Sequence, residues 1–239
     1  MNRFLVVIPA HNEADTIYEV VTRALRHADV SVTDDGSRDD TGAILGRIIG
    51  ECRNGKHAHW LNVVTYSTAT HIPLGIQDGM KFACANDYDF VVTMDAGLSH
   101  DPDALPGFLA HDPTIDLVIG HRRRARNVPA YRRLISWLGS RLINYTLTPS
   151  YLNFRGKGLR DCTSGFRRYS RPAFTLISIS KLKSKSFDFH MEALVLCLRS
   201  SMSVSEIPID YCFSNSSFSF RVLRQAMAFG LQLIATKRG

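Results

Sequence analysis

The sequence lacks any apolar run near the roughly 20 residues that a helix needs to cross a bilayer, so it reads as soluble or at most lying on a membrane. Its opening run, Phe4-Leu5-Val6-Val7-Ile8, is too short for the apolar segment of a signal peptide and is stopped by Pro9. It has no C-x-x-C pair. Cys52, Cys84, Cys162, Cys197 and Cys212 are widely spaced, which argues against a zinc site and a disulfide framework and for free thiols in a reducing cytoplasm. Internal repeats are absent, and the one biased stretch is Ser214–Ser219. An acidic excess is missing too: 29 Lys and Arg stand against 22 Asp and Glu, a net charge of +7. A basic balance suits partners that carry phosphate, namely nucleotides, nucleic acid or an anionic membrane surface, without choosing among them.

What is present is an ordinary globular balance, 45% apolar and 21% charged over 239 residues, enough for one large domain or one domain with an appendage. The positive charge is concentrated: Arg122, Arg123, Arg124, Arg126, Arg132 and Arg133 fall within twelve residues. Such a run is commonly a solvated surface, but arginine over lysine favours phosphate, which guanidinium binds in a bidentate way.

Phe4–Ile8 is continuously apolar, as in a strand buried on both faces. A helix follows with Ile17, Val20, Val21, Ala24 and Leu25 on one face, Asn12 as its N-cap and Asp15 in a capping-box position. A strand near Val30–Thr33 leads to a second helix with Ile44, Leu45, Ile48 and Ile49 on its apolar face. This alternation predicts a parallel βαβ unit. Residues 52–59 read as a loop. Further strands are predicted at Leu61–Tyr66, Phe90–Met94, Asp116–Ile119 and Glu206–Tyr211. Helices are predicted at Gly75–Asn86, Asp103–Ala110, Tyr131–Leu147, Phe187–Arg199 and Phe220–Ile234, and a mobile loop over residues 149–161.

Ligands of open parallel sheets sit outside the carboxyl ends of the strands. Three polar clusters fall there: Pro9-Ala10-His11-Asn12-Glu13, Thr33-Asp34-Asp35-Gly36-Ser37, and Asp95 through Asp101. Capping is as good a reading as ligand binding for Asp39, Asp40 and Asp101 taken singly. Carboxylates gathered at one edge, however, repel one another unless a cation or a donor-rich ligand lies between them.

Val7-Ile8-Pro9-Ala10-His11-Asn12-Glu13 resembles the "V-I-P-x-Y-N-E" opening of family 2 glycosyltransferases. Asp34-Asp35-Gly36-Ser37-Arg38-Asp39-Asp40-Thr41 resembles their "D-D-G-S-x-D-x-T", and Met94 through Pro102 their "M-D-A-D-L-Q-H-x-P". Ile119-Gly120-His121-Arg122 is similar to "I-G-S-R", and Asp161 through Arg167 to "D-x-T-S-G-F-R". The order of these motifs points to the polyprenyl (dolichyl) phosphate hexosyltransferase branch. The resemblance implies an α/β GT-A fold, a mostly parallel central sheet flanked by helices. It implies a single domain over residues 1–239, with a nucleotide-sugar-binding half (1–120) and an acceptor-binding half (121–239). The reaction implied is inverting transfer of a hexose from a GDP- or UDP-sugar to a polyprenyl phosphate.

By the same resemblance, Pro9, His11, Glu13 and Asp35 line the base and ribose, with Asp34 beside them or bracing the turn, and Ala96 next to Asp95. Asp95 lies by the diphosphate and a Mg²⁺ or Mn²⁺ ion. Arg122 and Arg132 hold phosphates, and Arg132, Ser136, Ser164 and Gly165 serve the acceptor. Glu192, on a helix face with Asp188, is a base or an orienting carboxylate, and orientation is preferred because a phosphate acceptor is already an anion. Three departures qualify this. Gly97 replaces the second Asp of D-x-D, so weak metal binding, or a site completed by nucleotide, is expected. Ser99 replaces Gln, and Asn215 through Phe220 lacks an expected basic pair. His100 reads as a structural histidine sooner than as a Mn²⁺ ligand.

The stripe Leu223, Ala226, Met227, Gly230, Leu231 and Ile234, flanked by arginines, reads as core packing first and as a membrane-surface helix second. The expected location is cytoplasmic, with any membrane contact peripheral on the cytoplasmic face. Transfer to a saccharide hydroxyl and a catalytically degenerate nucleotide-binding relative remain alternatives. No nucleic-acid partner is expected.

Overall fold

The structure, a computed structural model, describes residues 2–70, 72–126, 128, 136–141, 144, 158–184, 186 and 188–212. Seven strands form one sheet: β1 (Phe4–Ala10), β2 (Asp29–Asp35), β3 (Leu61–Tyr66), β4 (Phe90–Thr93), β5 (Leu117–Arg126), β6 (Arg167–Ser170) and β7 (Val204–Cys212). Their spatial order is β3-β2-β1-β4-β6-β5-β7. Only β6 runs against its neighbours, pairing antiparallel with β4 and β5.

β1 shows why an unbroken apolar run was needed. Successive side chains of a strand point to opposite faces. Leu5 and Val7 pack into one core layer, with α3 (Ile72–Ala85), α5 (Arg171–Ile179) and α6 (Phe189–Arg199). Val6 and Ile8 pack into the other, with α1 (Ile17–Ala24), α2 (Thr41–Arg53) and α4 (Leu105–Leu109). All four side chains are fully buried, each contributing roughly 1.5–3 kcal/mol of burial free energy. Gly79 lets α3 sit directly on this strand: a Cβ there would lie 2.5 Å from Val7 Cγ1.

Several expectations need correction. Asn12 does not cap α1. It adopts φ 54° in the loop, and α1 starts only at Ile17, after Thr16. β5 continues past Ile119 to Arg126, because its backbone pairs with β7 as far as Cys212 whatever the side chains are. α2 runs to Arg53, into the predicted loop, and α3 begins at Ile72, three residues early. β6 and α5 carried no expectation at all. Of the predicted Tyr131–Leu147 helix, residues 136–141 and 144 are helical and the rest lie outside the described residues. Most of the predicted loop over 149–161, the segment Asn215–Phe220, and the Phe220–Ile234 helix with its apolar stripe also lie outside them. Among the described residues no helix is long and apolar enough to cross a membrane.

Candidate active site

The sheet order places the carboxyl ends of β2, β1 and β4 side by side, so the three polar clusters converge. The loop after β1 is held by the loop after β2. Asn12 N–H donates to Ser37 Oγ at 2.9 Å, and Arg38 N–H donates to Asn12 Oδ1 at 2.8 Å. Glu13 N–H donates to Thr41 Oγ1 and Ala14 N–H to Asp39 Oδ2. His11 Nδ1 lies 2.7 Å from Asp35 O. Because a carbonyl only accepts, that nitrogen carries the proton, and Nε2 accepts from Asn12 Nδ2 at 3.0 Å.

These loops bound a pocket of about 320 Å³ lined by His11, Asn12, Gly36, Arg38, Ser67, Thr68 and Ala69. Gly36 has φ +70°, and a Cβ on it would lie 2.7 Å from Ala69 N. Only glycine allows both that turn and that approach. Sequence reasoning missed the 67–70 wall, which has no motif of its own and reaches the site only because β3 ends beside β2.

The carboxylates at this edge differ in how much is left to them. Asp34 is buried and accepts from Ser37 N–H at 3.1 Å, so it braces the turn. Asp39 accepts from both the N–H and the hydroxyl of Thr41 at the start of α2. Asp101 caps the short 3-10 helix Pro102–Ala104 through Asp103 N–H and pairs with Arg23. Helix-start contacts thus account for Asp39 and Asp101, whereas Asp40, the N-cap residue of α2, makes no side-chain cap hydrogen bond. Glu13 accepts from Thr16 Oγ1 at 3.1 Å. Burial raises its pKa, aided by the nearby charges of Asp95 and Asp39, against the Thr16 hydrogen bond. Ala96 is buried, and its carbonyl accepts from the same Thr16 hydroxyl. Pro9 is the penultimate residue of β1, beside Thr33 of β2.

Asp95 keeps an open side: its side chain is 34% exposed. Its backbone N–H donates to His100 Nδ1 at 3.2 Å. His100 is buried against Phe166 and Tyr211, and desolvation lowers its pKa despite the neighbouring Asp95 charge. It is therefore neutral with Nδ1 accepting, and the 3.4 Å approach of Asp95 Oδ2 is not an ion pair.

On the other side of β4 the polar groups are closed in. Arg122 on β5 makes a bidentate pair with Asp161, Nε–Oδ2 2.6 Å and Nη2–Oδ1 2.8 Å. The same Nη2 donates to Ser136 Oγ and Thr163 Oγ1, and the guanidinium lies over the Tyr211 ring at 5.2 Å. Burial would raise the Asp161 pKa, but the Arg122 charge and the Thr163 hydrogen bonds win and hold it down to about 2. Ser164 is 1% exposed, beneath the surface, with its N–H on Asp161. Gly165 leaves room for His190: a Cβ would come within 2.8 Å of its Nε2. Glu192, in the first turn of α6, accepts from the N–H groups of Lys183 and Ser184. Asp188 accepts from Ser186 N–H. Arg132 lies outside the described residues.

The model of the family described as Glycosyl transferase family 2 matches residues 5–176. The chain belongs to glycosyl transferase family 2. An undecaprenyl-phosphate mannosyltransferase of Micrococcus luteus is 31% identical to this transferase over 216 residues, covering 87% of this chain and 83% of the relative. A polyprenol monophosphomannose synthase of Mycolicibacterium smegmatis is 30% identical, covering 94% and 84%. A crystal structure of glucosyl-3-phosphoglycerate synthase from Mycobacterium tuberculosis, with Mn²⁺, UDP and phosphoglyceric acid, is similar with a TM-score of 0.68 at 18% identity. It covers 100% of this chain and 79% of that one, and the likeness establishes the GT-A fold. The transferase is a nucleotide-sugar-dependent enzyme by its family.

Divalent metal is present in that structural neighbour. In this transferase, among the described residues no group of three His, Cys, Asp or Glu side chains could hold a metal ion. Asp95 has an open side. His100 turns its Nδ1 lone pair to the backbone, and Asp101 is held by Arg23. One accessible carboxylate fits a hard cation only when a ligand supplies further oxygens.

Proposed function

We propose that this transferase moves a hexose, with inversion, from a nucleoside-diphosphate sugar to a polyprenyl phosphate. The observation that carries the acceptor class is the state of Glu192. Its carboxylate accepts backbone N–H groups of Lys183 and Ser184, so it braces a loop and is poorly placed to take a proton. A sugar hydroxyl acceptor needs a base, whereas a lipid phosphate attacks as an anion. The names of the Micrococcus and Mycolicibacterium relatives support the same acceptor.

In this reading residues 1–120 supply the donor side and residues 121–239 the acceptor side of a single domain. Pro9, His11, Glu13 and Asp35 surround the nucleoside, while Asp34 and Ala96 shape the loops beneath it. Asp95 would hold Mg²⁺ or Mn²⁺ together with the diphosphate, and a cation there neutralises the leaving nucleoside diphosphate. Arg122 presents phosphate-binding charge whose position Asp161 sets, and Arg132 adds to it. Ser136, Ser164 and Gly165 form the acceptor floor. The enzyme acts at the cytoplasmic face of a membrane through peripheral contact.

The test is a transfer assay with the full chain, GDP- and UDP-hexoses, and either polyprenyl phosphate or free saccharides, with and without Mn²⁺. A lipid-linked hexose formed only with polyprenyl phosphate is the expected product. Product on a saccharide hydroxyl alone would reverse the acceptor assignment, and no turnover with any pair would favour a degenerate nucleotide-binding relative.

A further inference from the structure

Asp35 ends β2, and its carboxylate is already half used. Oδ1 accepts from Thr70 N–H at 2.6 Å and from Thr70 Oγ1 at 2.7 Å. An ionised carboxylate has about two acceptor sites on each oxygen, so Thr70 fills those of Oδ1. Among the described residues Oδ2 accepts nothing. The next residue, Gly36, and the residue before Thr70, Ala69, both line the pocket beside His11, and they approach closely enough that a Cβ on Gly36 would clash with Ala69 N. The Asp35–Thr70 contact thus lies directly behind that wall, each residue adjoining one that lines the pocket.

The candidate bases differ in what they offer a carboxylate. Guanine presents two donors on one edge, the ring N1–H and the exocyclic amine, which match two free oxygens. Uracil presents one, N3–H, between two carbonyls. Cytosine presents an acceptor at that ring position. We infer that Thr70 leaves Asp35 a single open oxygen and so selects uracil, making the donor a uridine and not a guanosine diphosphate sugar. This rests on the reading that Asp35 faces the base. A guanine would have to crowd both donors onto Oδ2 at poorer angles than uracil's single N3–H, and sites built for a given hydrogen-bond pattern discriminate against a mismatched one. Thr70 is a positioning residue: it acts by fixing and filling one oxygen of Asp35.

Calorimetric titration of the full chain with UDP, GDP and CDP, each with Mg²⁺, tests this. UDP is expected to bind about tenfold or more tighter than either of the others. Thr70→Val keeps the backbone donor and removes the hydroxyl, opening one site on Oδ1, so GDP should gain severalfold relative to UDP. Equal or tighter binding of GDP by the unmodified protein, or an unchanged UDP to GDP ratio in Thr70→Val, overturns the inference. Asp35→Ala separates the two levels of the argument. It should collapse the preference for UDP over CDP. A preserved preference would mean that the base is read elsewhere, which defeats the role of Thr70 while leaving the transferase reading standing. Failure of every nucleotide to bind folded protein would remove both.

Discussion

The two sides of β4 handle charge in opposite ways. On the β1–β2 side, carboxylates gather at the sheet edge, most are restrained by backbone N–H groups or hydroxyls, and Asp95 keeps an open face. On the β5–β6 side, guanidinium groups are sunk into the protein. Arg167 is fully buried and donates to the carbonyls of Ser164, Cys162 and His190. Arg168 is equally buried and donates to the carbonyls of Phe108 in α4 and of His111, Asp112 and Ile115 in the segment that follows it. Arg122 is paired with Asp161, with 20% of its side chain still exposed. Charge alone therefore does not mark a ligand site. The β1–β2 edge keeps open carboxylate oxygens, on Asp95 and on Asp35, whereas on the β5–β6 side the main charges are already matched within the protein, and Ser164 Oγ and His190 Nδ1, unpartnered there among the described residues, are uncharged and buried.

The largest effect that would sharpen this contrast is on activity. Asp95→Asn should lower transfer about a thousandfold, the scale of several kcal/mol of leaving-group stabilisation. Its urea midpoint should barely move, because the carboxylate is partly exposed and no core contact is lost. Asp161→Asn should behave the other way round. It leaves the Arg122 charge uncompensated, and a loss of about 3 kcal/mol in stability by urea unfolding is expected. If Asp161→Asn kept full stability, the idea that charges on the β5–β6 side are matched within the protein would be wrong.

The pH dependence separates the two sides next. His100 and His190 are buried and their pKa values are lowered by desolvation, His190 further by the Arg167 charge. Neutral in the fold and protonated when unfolded, they contribute stability that is present above the ordinary value of 6.5 and is lost as pH falls below it. The slope approaches about 1.4 kcal/mol per pH unit for each histidine. Asp161 adds a second loss as pH falls from 3.8 toward about 2. Thermal melts between pH 8 and 3 should show the first decline beginning near neutrality, and a flat profile down to pH 5 would contradict it. The smallest effect is that of Glu192→Gln. Most transfer activity should remain, with about 1 kcal/mol of stability lost through weaker hydrogen bonds to the 183–184 loop. A collapse of kcat with unchanged stability would instead make Glu192 a base.

Much of the fold was legible because β1 and β4 are covered on both faces and read as near-continuous apolar runs, while β2 keeps its valines, Val30 and Val32, on one face with buried Ser31 and Thr33 on the other. β6 was not legible, since Arg-Arg-Tyr-Ser has no apolar alternation. Its two arginines are tolerated in the interior only because carbonyls from distant segments surround them. α5 did carry a signal, Pro172 in its first turn with Ala173, Phe174 and Ile177 on the buried face. In the site, Asp34, Asp35 and Asp95 were marked by their place at strand ends. Nothing in the chain marked Thr70, because its importance comes from a hydrogen bond to a residue 35 positions away.

By itself the amino-acid sequence determined the βαβ beginning, the family and the edge at which polar residues collect, because these follow from local periodicity and from motifs short in sequence. Only the tertiary structure decided which of those residues remain available. Asp34, Asp39 and Asp101 are held by turn and cap contacts or by Arg23, Arg122 by Asp161, Glu192 by a loop backbone, and one oxygen of Asp35 by Thr70. A hydrogen-bonding group binds a ligand only with the lone pairs and donors that its own protein leaves unused, and long-range packing sets that remainder.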